Sequence, residues 1–312
     1  MIHAHSPVVS QSSGNLIADR RYAWAEGSAA EGDHAAAADL FTQALEIVPH
    51  WAPAWLALGE ALQKSGDVDG ARAAFAQAAA LDPAGVLGAE LRLAALGGAA
   101  SPSLAPQAYV RGLFDQYANR FDAHLTGALH YRAPEILREL VARANAARGR
   151  REHFSLMLDL GCGTGLAGKS FAACVHRIEG VDLSTAMLAL AEKTGCYERL
   201  VVGDLVDFLI AAKPGAADLV IAADVFVYMG DLGPAFEACA RAMARDGLFA
   251  FTTQFLSVGD WSIGADLRYA HSADYLRRMA ESYGFEVRTL EAISTRRDAG
   301  VDTPGLAAVL MK

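Results

Sequence analysis

Leu158-Asp159-Leu160-Gly161-Cys162-Gly163-Thr164-Gly165 decides the reading of this chain. An apolar run ends in a glycine-rich turn, and a helical pattern follows from Leu166. Glycine lacks a Cβ, so Gly161, Gly163 and Gly165 let the backbone turn sharply and let a ligand lie close against it. The arrangement predicts a nucleotide-type site at the carboxyl end of a first β-strand. The glycines do not choose the nucleotide. Gly163-x-Gly165-x-x-Gly168 also satisfies the dinucleotide spacing, so an NAD-dependent oxidoreductase starts level.

Two acidic residues further along separate the readings. Ile178-Glu179-Gly180-Val181-Asp182 reads as a second strand ending in a carboxylate. Asp182 stands 21 residues beyond Gly161, where a carboxylate accepts from the ribose hydroxyls of either cofactor. Leu200-Val201-Val202-Gly203-Asp204-Leu205 reads as a third strand ending in Gly-Asp. A carboxylate there can accept from an adenine amino group, for which dinucleotide enzymes have no standing need. Together the glycine run, Val181-Asp182-Leu183-Ser184 and Gly203-Asp204-Leu205 resemble the class I S-adenosylmethionine-dependent methyltransferases, over roughly residues 108–312. The resemblance implies a Rossmann-like seven-stranded sheet whose last strand runs antiparallel beside the fifth.

The first hundred residues repeat. Gly32, Ala37, Phe41, Ala44 and Pro49 recur as Gly66, Ala71, Phe75, Ala78 and Pro83, each 34 residues on. This resembles the tetratricopeptide repeat, a pair of antiparallel helices. Small residues let the helices approach, Phe41 and Phe75 fill the gaps, and the prolines end each second helix. Val86–Leu96 is expected to close the stack, with Trp24, Trp51 and Trp55 covering part of the remaining face. The expected organisation is a small all-α repeat unit over 18–97, a linker over 98–107 and a methyltransferase domain over 108–312. The layout is similar to a group of bacterial proteins in which such repeats precede this domain. The repeats are read as a packing or self-association unit, or as a docking site for a protein partner.

Composition narrows the substrate. Formal net charge is −9, from 36 acidic and 27 basic side chains, so the footprint needed to neutralise phosphates is missing and a nucleic-acid partner is not expected. Met1–Leu16 is polar, and no stretch approaches a membrane span; the expectation is a cytoplasmic protein with no membrane partner. Cys162, Cys174, Cys196 and Cys239 show no metal-like pairing and read as reduced thiols, and His3 and His5 as solvated. No metal is expected.

In the sheet domain, strands are expected near 155–160, 178–182, 199–203, 217–223, 247–254, 285–294 and 304–311. Helices are expected near 133–147, 166–174, 185–193, 205–212, 233–245 and 273–283. Ser184 and Ser272 are placed to cap helices. The aromatic segment Tyr109, Phe114, Tyr117 and Phe121 fits both an ordinary apolar helix face and, by resemblance, a cover over the cofactor.

For S-adenosylmethionine, the resemblance implies Gly161, Gly163 and Gly165 against the methionine end, Asp159 ordering the turn or meeting the amino group, and Asp182 on the ribose. It further implies Asp204 on the adenine amino group with the Leu205 backbone beside it. Leu183 and Met187 line the adenine, the Ala222 or Ala223 carbonyl meets the methionine amino group, Tyr117 lies above, and Arg132 pairs with the carboxylate. The acceptor is expected above the fourth and fifth strands. His271 is the candidate base, because an ordinary imidazole titrates near neutrality. Tyr228 and Asp231 are the other catalytic candidates. By the same resemblance, a missing Asn/Asp-Pro-Pro run, Pro-Cys pair and paired-glutamate loop disfavour DNA, cytosine and arginine methylation. The leading expectation is methyl transfer to a small molecule. The alternatives are a protein or carrier-protein acceptor docked on the repeats, a cofactor-binding scaffold without chemistry, and the NAD oxidoreductase.

Overall fold

The computed structural model describes residues 12–122, 131–150, 152–298 and 301–312, without the side chains of 119–122, 295–298, 301 and 302. His3 and His5 lie outside the described residues, as does the side chain of Phe121. The chain forms two compact units that divide at Leu113/Phe114. Among the described residues, no helix is long and apolar enough to cross a membrane.

The first unit is helical. Helices α1 (Leu16–Ala30) and α2 (His34–Ile47) form one antiparallel pair, and α3 (Ala52–Ser65) and α4 (Val68–Leu81) form the next, followed by the short α5 (Ala89–Ala95). The 34-residue period has a local cause beyond the residues that revealed it. Gly32 and Gly66 take φ of 87° and 93°, the left-handed region in which a Cβ is strained. Asp33 and Asp67 follow them, and each side chain accepts a backbone N–H in the first turn of the next helix. Each repeat therefore stops one helix and starts its partner with two adjacent residues.

Alanines at the helix contacts bring the backbones together, and aromatic rings fill what remains. Phe41 and Phe75 are buried, and Tyr22 meets Phe41 at 5.1 Å and Trp51 at 4.8 Å between centroids. Trp51 is thus part of the core, and Trp55 is partly buried with its indole N–H on the Pro49 carbonyl. Trp24 departs from the expectation: it is 60% exposed, under the Arg20 guanidinium. Arg92 is buried and bonded to Glu60, so the closing helix is tied to α3 by charge as well as by packing.

The second unit is a sheet with helices on both faces. Strands β1 (Phe154–Leu160), β2 (Val175–Asp182), β3 (Arg199–Val202), β4 (Ala217–Ala222) and β5 (Met243–Phe255) lie parallel in the order β3-β2-β1-β4-β5. Two long strands complete it. β9 (Val301–Met311) runs antiparallel to β5, with Phe251 opposite Ala308, and β8 (Glu286–Asp298) pairs antiparallel with β9. The antiparallel last strand beside the fifth is as expected. Alternate residues serve opposite faces. Leu158, Val220 and Phe249 join one core, whereas Met157, Leu219 and Leu248 join the other.

Helices α6 (Gln107–Asp122), α7 (Ala133–Ala147), α8 (Leu166–Phe171), α9 (Thr185–Glu192), α10 (Leu205–Ala211), α11 (Gly233–Ala242) and α12 (Ala273–Ser282) follow the expected alternation. Ser184 and Ser272 cap α9 and α12 through Met187 and Tyr275 N–H. Two strands were not anticipated. β6 (Trp261–Ile263) and β7 (Tyr269–His271) form a hairpin, and β7 pairs with Gln254 and Phe255 at the end of β5. Three-residue strands carry too little period to stand out from a loop. The helix expected to run to 245 stops at Ala242, because Met243 already pairs with Ala217.

A Cβ on Gly59 would lie 2.5 Å from the Phe75 ring, so the α3–α4 contact depends on that glycine. Gly59→Ala is expected to lower stability by about 1–3 kcal/mol through overpacking, despite a helix-propensity gain of roughly 1 kcal/mol. Urea unfolding checks this; a raised midpoint would contradict the close packing.

Candidate cofactor and acceptor site

The site begins where β1 ends. Asp159 is 1% exposed on the last turn-ward stretch of β1, beneath the glycine turn. Gly161, Gly163 and Gly165 take φ of 60°, 53° and 89°. Their surroundings differ. A Cβ on Gly161 would strike Val225 at 2.6 Å, whereas nothing lies within 4 Å of one on Gly163. The turn therefore packs against the β4 loop at Gly161 and is open at Gly163.

Asp182 ends β2 and clasps the turn. One oxygen accepts the Gly163 N–H at 2.9 Å and the other accepts the Ser184 N–H at 2.8 Å. The Ser184 hydroxyl donates to Asp115 on α6 at 2.5 Å. Burial raises the Asp182 carboxyl above the usual range; the Ser184 and Gly163 N–H groups oppose this, and Asp115 reinforces it. Asp204 stands just beyond β3, which pairs Val202 with Asp182. One of its oxygens accepts from Val206 N–H at 2.7 Å and Asp207 N–H at 3.3 Å, starting α10.

The donors and acceptors can be tested against both nucleotides. Asp159, Asp182 and Asp115 place three acidic groups around the turn; the Asp182 charge raises Asp159, and the Asp115 charge raises Asp182. A pyrophosphate at that turn would meet like charge, whereas ribose hydroxyls, an amino group and a sulfonium are donors or positive. Gly168, the third glycine of the dinucleotide spacing, has a different duty. A Cβ there would lie 2.5 Å from the Tyr197 ring, so the position is small to admit that side chain. The residues fit S-adenosylmethionine and do not fit a dinucleotide.

The remaining positions separate into two groups. Leu183 and Tyr117 are partly buried, Leu205 packs on the core, Ala222 closes β4 within the sheet, and Arg132 is exposed at the start of α7. Met187 is a correction: its side chain is fully buried in α9, so it presents no wall to a ligand.

On the acceptor side, Asp224 adopts φ 59°, unusual for a residue with a side chain, just after β4. Its N–H donates to the Thr252 hydroxyl at 2.9 Å. Burial raises its carboxyl, and Arg268 opposes this. Arg268 lies 6.0 Å over the Tyr228 ring, and Tyr228 meets Phe114 edge-on at 5.6 Å. Tyr131 belongs with this group. Burial pushes its phenol up, followed by Asp224 and Asp159, so it stands near both carboxylates. Tyr131 and Arg268 were missed as site residues. A single tyrosine before a helix and an arginine in a loop carry no spacing signal.

Two of the three catalytic candidates are corrected. His271 on β7 is fully buried, its Nε2 is 3.0 Å from the Gly230 carbonyl, and its ring stacks on Tyr275. Burial pushes it down to about 4. It is a core imidazole and does not meet an acceptor. Asp231 accepts from Gly233 N–H at 2.9 Å and from the Tyr275 hydroxyl at 3.3 Å, so it organises the start of α11. Tyr228 alone of the three faces the aromatic group.

This sheet order, with carboxylates following β2 and β3 below a glycine turn, defines a methyltransferase of the Rossmann-like class. Residues 158–251 match the family described as a methyltransferase domain, and residues 28–92 match the tetratricopeptide repeat. The ubiquinone biosynthesis O-methyltransferase of Bordetella parapertussis is 26% identical over 181 residues, 57% of this chain and 73% of that protein. The malonyl-[acyl-carrier protein] O-methyltransferase of Legionella pneumophila is 39% identical over 102 residues, 31% of this chain and 35% of that protein. Among solved structures, the Burkholderia thailandensis 1,6-didemethyltoxoflavin-N1-methyltransferase aligns with a TM-score of 0.51 at 19% identity. It covers 69% of this chain and 93% of its own. The chain thus carries an S-adenosylmethionine-dependent methyltransferase domain with tetratricopeptide repeats ahead of it.

The buried His271 generates a stability prediction. Its folded-state value lies below the ordinary 6.5, so its neutral form contributes fully above about pH 6.5 and is lost as pH falls toward about 4. His271→Phe is expected to remove about 2 kcal/mol of the loss between pH 7.5 and pH 5. Urea titrations of both proteins at pH 7.5 and pH 5 measure it; parallel losses would show that His271 is not buried as the neutral base.

Proposed function

We propose that the chain transfers a methyl group from S-adenosylmethionine to an oxygen or nitrogen of a small, planar acceptor. The Asp182 clasp on Gly163 and Ser184 carries this reading. It leaves a carboxylate beside an open glycine, one strand from Asp204. In this proposal Asp182 accepts from the ribose hydroxyls and Asp204 from the adenine amino group, with Leu183 and Leu205 against the ring. Gly161, Gly163 and Gly165 bring backbone to the methionine moiety. Asp159 and the Ala222 carbonyl face its amino group, Arg132 its carboxylate, and Tyr117 lies above.

The bound cofactor supplies a methyl carbon already made electrophilic by its sulfonium. The protein's part is to hold an acceptor in line and keep water out. Phe114, Tyr228, Tyr131 and Arg268 are the groups placed to do so, and their rings and guanidinium suit a flat acceptor. The ubiquinone-pathway relative's name, an O-methyltransferase, supports oxygen as the acceptor atom. A second reading, an acceptor held on a carrier protein that docks on the repeats, is favoured by the malonyl-carrier relative.

Two experiments test this. Asp182→Asn and Asp204→Ser, the latter keeping a helix cap, are each expected to weaken S-adenosylhomocysteine by about 10- to 100-fold, the worth of a hydrogen bond to a charged group. Calorimetry reads the change, and undiminished affinity in both variants would overturn the cofactor placement. Incubating the full chain with methyl-labelled cofactor and a cell extract separates the acceptors. Label in the protein-free filtrate is the expected result; label only in precipitated protein moves the conclusion to the carrier reading.

A further inference from the structure

We propose that Tyr197 is a positioning residue of the methyl-donor site: its hydroxyl ties the Asp159 carboxylate to the first turn of α8 and so aims it at the α-ammonium group of the bound methionine moiety. This rests on the proposed cofactor placement and adds a residue that lies outside the glycine turn and outside both acidic motifs.

The geometry begins with a slot. Tyr197 follows α9 and precedes β3. Three glycines surround its ring, two at the start of α8 and one on β2. Built Cβ atoms would lie 2.5 Å from it at Gly168, 2.9 Å at Gly180 and 3.1 Å at Gly165. Gly168 sits within helix α8, where glycine costs roughly 1 kcal/mol against alanine. A phenylalanine would fill the same slot, so packing alone does not call for the hydroxyl.

The hydroxyl makes two bonds. It donates to Asp159 Oδ2 at 2.6 Å and accepts the Gly168 N–H at 3.2 Å. Gly168 is the third residue of α8, whose cap residue Gly165 has no side chain to satisfy the amides of the first turn. Helix amide, phenol and carboxylate thus form one chain of hydrogen bonds, in which each strengthens the next. A buried carboxylate held by one oxygen keeps the other in a defined direction, and the glycine turn fixes where a ligand can lie relative to it.

The charge state follows the same contacts. Burial pushes Asp159 up to about 7; the Tyr197 bond opposes this and the Asp182 charge adds to it. The titratable groups facing it are Tyr197 after α9, Asp182 on β2, Cys162 in the turn and Tyr131 before α7. The Tyr197, Cys162 and Tyr131 groups are all raised and stay neutral near pH 7; Asp182, itself raised by burial, is the carboxylate whose charge adds to the rise at Asp159. An ammonium ligand binds the ionised carboxylate, so its affinity should climb as pH rises through about 7.

The test compares the full-length protein with Tyr197→Phe and Asp159→Asn by calorimetry, using two ligands. S-adenosylhomocysteine carries the amino group; 5′-methylthioadenosine keeps the adenosine and sulfur but lacks the amino acid portion. Tyr197→Phe is expected to weaken S-adenosylhomocysteine about tenfold, leave methylthioadenosine within about twofold, and move the pH-dependent rise to higher pH. Asp159→Asn is expected to give the same ligand-specific loss with a flattened pH profile. Equal loss for both ligands in both variants would reduce Tyr197 to a packing role, and no loss would remove it from the site; either overturns the proposal. Wild-type protein that binds neither ligand would instead overturn the cofactor placement on which it rests.

Discussion

One carboxylate organises the candidate site. Asp182 uses both oxygens on backbone N–H groups, one in the glycine turn and one at the start of α9. The turn after β1 and the turn after β2 are thereby held at a common edge of the sheet. Parallel pairing from Leu160 opposite Val181 to Asp182 opposite Val202 sets the spacing along that edge. A ligand that spans the three strand ends meets a surface whose shape is already determined by sheet register.

The second constraint is electrostatic. Asp159, Asp182 and Asp224 are all displaced upward by burial, so the floor and the acceptor side are rich in carboxylates that favour a donor or cationic partner. That preference, more than the glycines, separates a sulfonium nucleoside from a pyrophosphate. The glycines themselves divide into different duties. Gly161 gives way to Val225, nothing crowds Gly163, and Gly165, Gly168 and Gly180 give way to Tyr197. A motif that looks uniform in the chain is three separate steric solutions in space.

The helical unit obeys a simpler logic. Alanine contacts and the Gly59–Phe75 approach bring the helices close, and the Gly-Asp pairs reset the chain every 34 residues. Arg92 adds a buried ion pair to Glu60 at its last helix. On its surface, the Arg20–Trp24 pair on α1 is an exposed aromatic element.

What was legible in the chain is whatever repeats locally or sits at a fixed offset. Strand alternation, the glycine turn, the carboxylates at 182 and 204, the 34-residue period and the serine caps all depend on neighbours within a few residues or on one regular spacing. His271 was misread for the opposite reason. Its chemistry depends on Gly230 and Tyr275, brought around it by a three-residue strand that no periodicity announces. Tyr197, Tyr131 and Arg268 acquire meaning only from side chains distant in sequence. Sequence by itself determined the domain class and where the nucleotide-type turn must lie, because backbone conformation and hydrophobic period are local properties. Tertiary structure alone decided which titratable groups are buried, which carboxylates face one another and which glycines are spacers, because desolvation and steric fit depend on every element packed around the group.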